Sequence, residues 1–339
     1  MIKIQDLTKK FNGRTVLNGV SFEVKEGEVF GYLGPNGAGK TTTLRIILGL
    51  LKPTSGTALV EGRNLGEDEE LRQRVGVVLE SDGLYERLTA HENLDYYARL
   101  YGVAAGSRSR AGRRLEGERV EELLEFVGLS ERRNEKVGKF STGMKRKLAL
   151  ARALIHEPEI LFLDEPATGL DPEAQRMVRD LILKLSKEEK RTVFLNSHDL
   201  DEVQRICTRI AILQNGELRA YDSVENLRRR FSRPVVEVAF ADSEEAARAL
   251  QVVGSLEQDF VADCELEREG RGKGVRLRVA LKQKQGQGQG AESPSRLLER
   301  LVRAGVKVEE LKRVEKSLEE VYLEIVRQTE TDRDGGGEE

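Results

Sequence analysis

The stretch Gly34-Pro35-Asn36-Gly37-Ala38-Gly39-Lys40-Thr41 constrains this chain more than any other. It satisfies the pattern G-x-x-x-x-G-K-[ST] at every fixed position. A loop of this kind works only between a strand and a helix, and both flanks comply. Val29-Phe30-Gly31-Tyr32-Leu33 reads as a short buried strand, and Thr41 to Leu50 as a helix with Leu44, Ile47 and Leu48 on one face. Glycines let successive backbone N–H groups turn inward on an anion, and the helix N-terminus adds partial positive charge. Lys40 is then expected to reach the β- and γ-phosphates of a nucleotide, with the Thr41 hydroxyl on Mg²⁺.

Around this loop the chain alternates strands and helices. Ile2 to Leu7 and Val20 to Val24 alternate apolar and polar residues, as half-buried antiparallel strands do, with Phe11-Asn12-Gly13 as a turn between them. Thr57 to Val60 and Val75 to Val78 read as further strands. Thr89 to Tyr101 reads as a helix opened by a capping box of Thr89 and Glu92. Ala104 to Gly117 reads as a flexible basic loop, Val120 to Val127 as an amphipathic helix stopped by Gly128, and Ser141 as the cap of a helix running to about Ile155. Ile160 to Leu163 and Thr192 to Leu195 are continuous apolar runs, the pattern of parallel strands covered on both faces. Asp171-Pro172 starts a helix with Val178, Leu181, Ile182 and Leu185 inward, and Asp199 starts another. Asn215-Gly216 marks a hairpin between Ile210–Leu213 and Glu217–Tyr221. Residues 1–230 therefore read as an α/β nucleotide-binding domain with an antiparallel part at its start.

After Arg228-Arg229-Arg230 the order becomes strand, helix, two strands, helix, strand: Val235–Phe240, Ser243–Val253, Phe260–Leu266, Val275–Leu281, Pro294–Ala304 and Val306 onward. That order predicts a ferredoxin-like α+β domain over 231–327. It is interrupted by a Gln/Gly loop at Gln283–Gly290, ends in a helix at Ser317–Val326, and leaves a disordered tail at 328–339. Lys+Arg 56 against Asp+Glu 59 gives a net charge of −3, so no global basic field argues for nucleic acid. No run of about 18 apolar residues is present, and the N-terminus has no signal-peptide pattern. Cys207 and Cys264 match no metal or redox spacing and read as buried thiols of a reducing compartment.

A phosphate loop alone leaves kinases, GTPases and many ATPases open. Downstream, Leu161-Phe162-Leu163-Asp164-Glu165 is an apolar strand ending in two carboxylates. Asp164 suits a water-mediated hold on Mg²⁺, and Glu165 is placed to orient or activate an attacking water. Asn196-Ser197-His198 ends the next strand, which puts His198 at the same sheet edge, where α/β folds bind ligands.

Phe140-Ser141-Thr142-Gly143-Met144-Lys145, just upstream of that strand, resembles the signature motif of ATP-binding cassette (ABC) ATPases. Gly169-Leu170-Asp171 is similar to their D-loop and Asn196-Ser197-His198 to their switch histidine. The resemblance covers Met1 to Leu227. A weaker one, through Ser317-Leu318-Glu319-Glu320-Val321-Tyr322-Leu323, links the remainder to drug-resistance-type exporter ATPases.

This resemblance implies a P-loop ATPase domain with antiparallel and helical subdomains, hydrolysing ATP with Mg²⁺. It implies a head-to-tail homodimer with two ATPs at the interface. A separate transmembrane permease would hold the dimer at the cytoplasmic face of the membrane. Carried over by motif, the nucleotide contacts are Gly34, Pro35, Asn36, Gly37, Ala38, Gly39, Lys40, Thr41 and Thr42, with Phe11 stacked on adenine. Ser141, Gly143 and Asp171 serve the nucleotide across the dimer; Thr41, Glu80 and Asp164 serve the metal; Glu165, His198 and Lys40 serve catalysis. Two departures stand out. Glu80 replaces the usual glutamine, and Thr142 and Met144 replace the commoner Gly and Gln. The competing reading is a soluble ABC ATPase acting on DNA or ribosomes. Residues 42–139 lack the sustained heptads of the DNA-repair relatives, and the chain has one cassette where ribosomal relatives usually have two.

Overall fold

The computed structural model describes residues 1–103, 118–231, 235–256, 261–268, 275–281, 294–314 and 316–334. It divides into two units, Met1–Val224 and Glu225–Glu339.

In the first unit β1 (Ile2–Phe11) and β2 (Arg14–Val24) pair antiparallel across Asn12-Gly13, which both take positive φ. β3 (Val29–Leu33) is buried at every residue and feeds the glycine loop and α1 (Lys40–Ile47). That helix is shorter than the expected Thr41–Leu50 because the chain reverses at Gly49, φ +70°, where a Cβ would strike the backbone of Gly66. β4 (Ser55–Val60) returns to the other side of β1, completing a three-stranded antiparallel sheet. α2 (Glu69–Arg72) and β5 (Val75–Val78) follow.

Three helices then pack on one another: α3 (Ala90–Leu100), α4 (Glu118–Phe126) and α5 (Thr142–Ala153). The Thr89–Glu92 capping box opens α3 and Ser141 caps α5. β6 (Ile160–Asp164), α6 (Pro172–Lys187), β7 (Thr192–Ser197), α7 (Leu200–Ile206), β8 (Arg209–Gln214) and β9 (Glu217–Ser223) complete the unit. Its second sheet has the order β5-β6-β7-β3-β8-β9, parallel except for the edge strand β9, which forms the Asn215-Gly216 hairpin with β8.

The core lies where aromatic side chains of both sheets meet. Phe22 of β2 stacks on Phe30 of β3 at 5.3 Å between ring centroids, and Phe194 of β7 lies 5.6 Å from Phe30, Tyr32 and Phe162 alike. Continuous burial of β3, β6 and β7 follows from cover on both faces, which is why their sequences run apolar without alternation.

α8 (Val224–Phe231) spans the division between the units. The second unit then holds β10 (Val235–Phe240), α9 (Ser243–Ser255), β11 (Val261–Arg268), β12 (Val275–Leu281), α10 (Pro294–Arg303), β13 (Glu310–Val314) and α11 (Leu318–Asp334). Its sheet is antiparallel throughout, in the order β11-β12-β10-β13. The alternation of β12 is the clearest: Val275, Leu277, Val279 and Leu281 are buried against α9 and α10, together with Val253, Leu297 and Leu301. Three expectations shift. The last strand starts at Glu310 and not Val306, because Val306 and Val308 pack into the core from an irregular segment. α11 continues past Val326 and past residue 328 to Asp334, there being no Gly or Pro before Gly335 to stop it. Cys264 is half-buried; only Cys207 is a buried thiol. The Ala104–Gly117 and Gln283–Gly290 loops and residues 335–339 lie outside the described residues.

Candidate active site

Strand register assembles the site. Leu33 pairs with Ser197, and Asp164 pairs with Asn196, so β3, β7 and β6 all end in one row at the carboxyl edge of the parallel sheet. Neighbouring strands run about 4.8 Å apart. The residues that follow each strand are therefore neighbours although they lie far apart in sequence. Phe11, Asn36, Gly37, Gly39, Lys40, Thr41, Thr42, Glu80, Asp164, Glu165 and His198 line a single cleft of about 760 Å³.

The loop after β3 is held by glycine. Gly39 sits at φ +110°, and a Cβ there would lie 2.7 Å from Leu17 Cδ2; one on Gly34 would strike the Leu213 carbonyl. Gly34, Pro35 and Ala38 build the loop without lining the cleft. Lys40 Nζ donates to the carbonyls of Gly34 (2.7 Å) and Pro35 (3.3 Å), and the Ala38 N–H donates to Pro35 (3.1 Å). Behind it, Thr43 Oγ1 donates to the Gly39 carbonyl and lies 3.1 Å from the Tyr32 hydroxyl, pinning the helix start to β3. Phe11 is exposed at the rim, with Lys9 Nζ 4.8 Å from its ring centroid.

Glu165 is a non-glycine residue at φ +51°, a conformation kept only where surrounding contacts enforce it. Its carboxylate accepts from Thr168 Oγ1 (3.0 Å) and lies 2.7 Å from His198 Nδ1. Asp164 is buried, and its carboxylate accepts from the Asn196 amide. Burial raises the Asp164 pKa against that hydrogen bond, with Glu165 and Glu80 adding to the rise. Burial lowers the Lys40 pKa, while Glu165 and Asp164 pull it back. Beneath His198, Ser197 Oγ donates to the buried Glu202 carboxylate (3.2 Å) and accepts from the Asp199 N–H (3.1 Å). Burial there pushes the Glu202 pKa up to about 7.

Ser141, Gly143 and Asp171 do not line this cleft. Ser141 Oγ accepts from the Met144 N–H (3.3 Å) and Asp171 from the Ala174 N–H (2.8 Å), each capping its helix. The two segments are neighbours all the same: a Cβ on Gly143 would sit 3.5 Å from Leu170.

Sequence reading missed Arg146, buried with its guanidinium in the cleft wall, and gave no role to the Asn196 side chain or to Thr168. Lys145-Arg146-Lys147 is a basic run on a helix. Nothing in the sequence tells which of the three turns inward.

Known proteins resemble this chain. The ABC transporter family matches residues 17–168. The uncharacterized ABC transporter ATP-binding protein YhcH of Bacillus subtilis (strain 168) is 33% identical over 333 residues, covering 97% of this chain and 97% of its own length. The chain belongs to the ABC transporter ATP-binding proteins. The bacitracin transport ATP-binding protein BcrA of Bacillus licheniformis is 39% identical over 247 residues, 73% of this chain and 77% of its own. Among solved structures, the dimeric post-hydrolysis state of the ATP-binding cassette MJ0796 bound to ADP and Pi matches with a TM-score of 0.58. Its sequence identity is 30%, over 66% of this chain and 99% of that one. This ABC protein is thus an ATP-binding, ATP-hydrolysing transport subunit. No helix among the described residues is long and apolar enough to cross a membrane.

Proposed function

We propose that this ABC protein energises a separate membrane-spanning subunit, in the export direction, by hydrolysing ATP within a head-to-tail homodimer at the inner face of the membrane. The observation that carries the reading is a convergence. Lys40, Asp164, Glu165 and His198 meet in one cleft with Thr142 of the Ser141-capped helix on its wall, while Ser141 and Gly143 on either side of Thr142 do not line it, and a Cβ on Gly143 would lie 3.5 Å from Leu170. Backbone and hydroxyl donors at a helix N-terminus suit an anion. Neither Ser141 nor Gly143 lines the cleft of its own phosphate loop, and the γ-phosphate of a second copy is the anion that suits them. The solved MJ0796 cassette, a dimer bound to ADP and Pi, supports an assembly of two copies. Export rests on the similarity of Ser317–Leu323 to drug-resistance exporters.

In this reading the loop from Gly34 to Thr42 wraps the phosphates, Lys40 leaves the loop carbonyls for the β- and γ-phosphates, and Phe11 stacks on the adenine. The donor set fits Mg²⁺: the Thr41 hydroxyl and the Asp164 and Glu80 carboxylates are hard oxygen ligands beside the phosphates, where this ion is held by few protein groups plus substrate. Bound there, Mg²⁺ neutralises the charge that builds on the phosphate oxygens. Glu165 accepts a proton from water as the water oxygen bonds to the γ-phosphorus. The bond to the β–γ bridging oxygen breaks, and ADP leaves. His198, 2.7 Å from Glu165, donates to the γ-phosphate and reports its presence.

The second unit reads as a ferredoxin-like accessory domain, supported by its element order and all-antiparallel sheet. Purified Glu165→Gln should bind ATP with wild-type affinity, turn over about 10²–10⁴-fold more slowly, and accumulate as an ATP-bound dimer on size-exclusion chromatography. Near-normal phosphate release by this variant would remove Glu165 from the base role.

A further inference from the structure

Arg146 spends its guanidinium on carbonyl oxygens. Nη2 donates to the backbone carbonyls of Asp164 (2.5 Å) and Glu165 (2.5 Å), Nη1 to Leu79 (2.7 Å) and Nε to Pro166 (3.3 Å). Arg146 is only 8% exposed, and the carboxylates of Asp164, Asp82, Glu165 and Glu80 offset the burial of its charge.

The three carbonyls lie at the end of β6 and in the turn that follows it, where the Thr168 N–H also donates to the Glu165 carbonyl at 3.2 Å. Glu165 is at φ +51°, and Pro166 has no N–H to give. With the Glu165 N–H on the Asn196 carbonyl at 2.8 Å, the backbone of Glu165 is held from β7 on one side and from α5 on the other. A fourth carbonyl, Leu79, adjoins Glu80, so the same side chain ties the segment carrying Glu80 to the one carrying Glu165.

We infer that Arg146 is a positioning residue: its fork of backbone hydrogen bonds aims the Glu165 carboxylate into the cleft from the helix that Ser141 caps. The inference rests on Glu165 acting as the base. It places no demand on Arg146 touching nucleotide. A forked, planar donor set is something lysine cannot reproduce, so charge alone does not satisfy the role.

The test is a mutant cycle in the full-length protein, read by single-turnover hydrolysis of radiolabelled ATP, by fluorescent-ATP binding and by thermal melting. Arg146→Met and Arg146→Lys should each lower kcat by about tenfold to a hundredfold, the cost of misplacing a catalytic group, with KM and nucleotide affinity within about twofold of wild type. Residual turnover of Glu165→Gln and of Glu165→Gln/Arg146→Met should agree within about twofold, because Arg146 has nothing left to aim. Losses that multiply in the double variant, or an affinity loss that matches the kcat loss, overturn the proposal. So does failure of both single variants to fold, which would make Arg146 a structural tie. A fully active Glu165→Gln is a different failure: it removes the base assignment itself.

Discussion

Glu202 carries the residue-scale consequence that sequence could not announce. The helix pattern makes it an ordinary polar residue in the first turn of α7, yet it is buried beneath the His198 loop with one carboxylate oxygen unpartnered. Its pKa rises from 4.5 to about 7, so between those values the native state holds a proton that the unfolded chain releases. Stability therefore falls as pH rises through this window, and the penalty is complete above pH 7. Glu202→Gln should melt higher than wild type at pH 8, by roughly 1–3 kcal/mol in stability, with the gain vanishing near pH 4.5. His156 works in the opposite sense. Burial lowers its pKa from 6.5 to about 4, so it destabilises the fold as pH drops through that range. The comparison must for that reason be variant against wild type at each pH. A gain independent of pH would mean that the Glu202 carboxylate is ionised throughout.

At the scale of elements, α1 and α5 present two helix starts with different duties. The first belongs to a loop whose lysine faces its own cleft; the second is capped by Ser141, which does not line that cleft although Thr142 beside it does. Lys40→Ala should abolish ATP binding by the monomer. Ser141→Ala should leave monomer binding within a few-fold, lose about 1 kcal/mol of stability with the cap, and fail to close the ATP-bound dimer. Equilibrium binding with fluorescent ATP, beside chromatography of the dimer in a Glu165→Gln background, measures both. Equal loss of monomer affinity in the two variants would place Ser141 at its own protomer's nucleotide. Element existence was readable where a start carries a side-chain cap: Thr89 with Glu92, Ser141, Asp171 with Pro172, Asp199. Ends were less readable. The chain reverses after α1 at Gly49, φ +70°, so close to Gly66 that no Cβ would fit, a contact between segments that no local pattern reveals.

On the whole-molecule scale, the two units bury separate cores, one centred on Phe22, Phe30, Phe162 and Phe194, the other on Val236, Leu277, Val279 and Leu301. The residues proposed for chemistry all belong to the first. A protein ending at Phe231 should therefore bind ATP within a few-fold of the full chain, as measured by fluorescent-nucleotide titration. Loss of binding in a truncation whose melting remains cooperative would show that residues beyond Phe231 contribute to the nucleotide site.

The phosphate loop, the apolar strands and the strand-terminal Asp164, Glu165 and His198 are legible from sequence because each is a local pattern with a local physical cause. Backbone needs glycine to turn, and a strand covered on both faces needs continuous apolar side chains. The convergence of Asn36, Glu80, Asp164 and His198 follows from the parallel order of the strands, which the strand–helix alternation already predicts. The inward turn of Arg146, the burial of Glu202 and the presence of Thr142 on the cleft wall without Ser141 have no such local cause. Each depends on which carbonyls and which helices other segments bring alongside, and that is decided only when the sheet register and helix packing are complete.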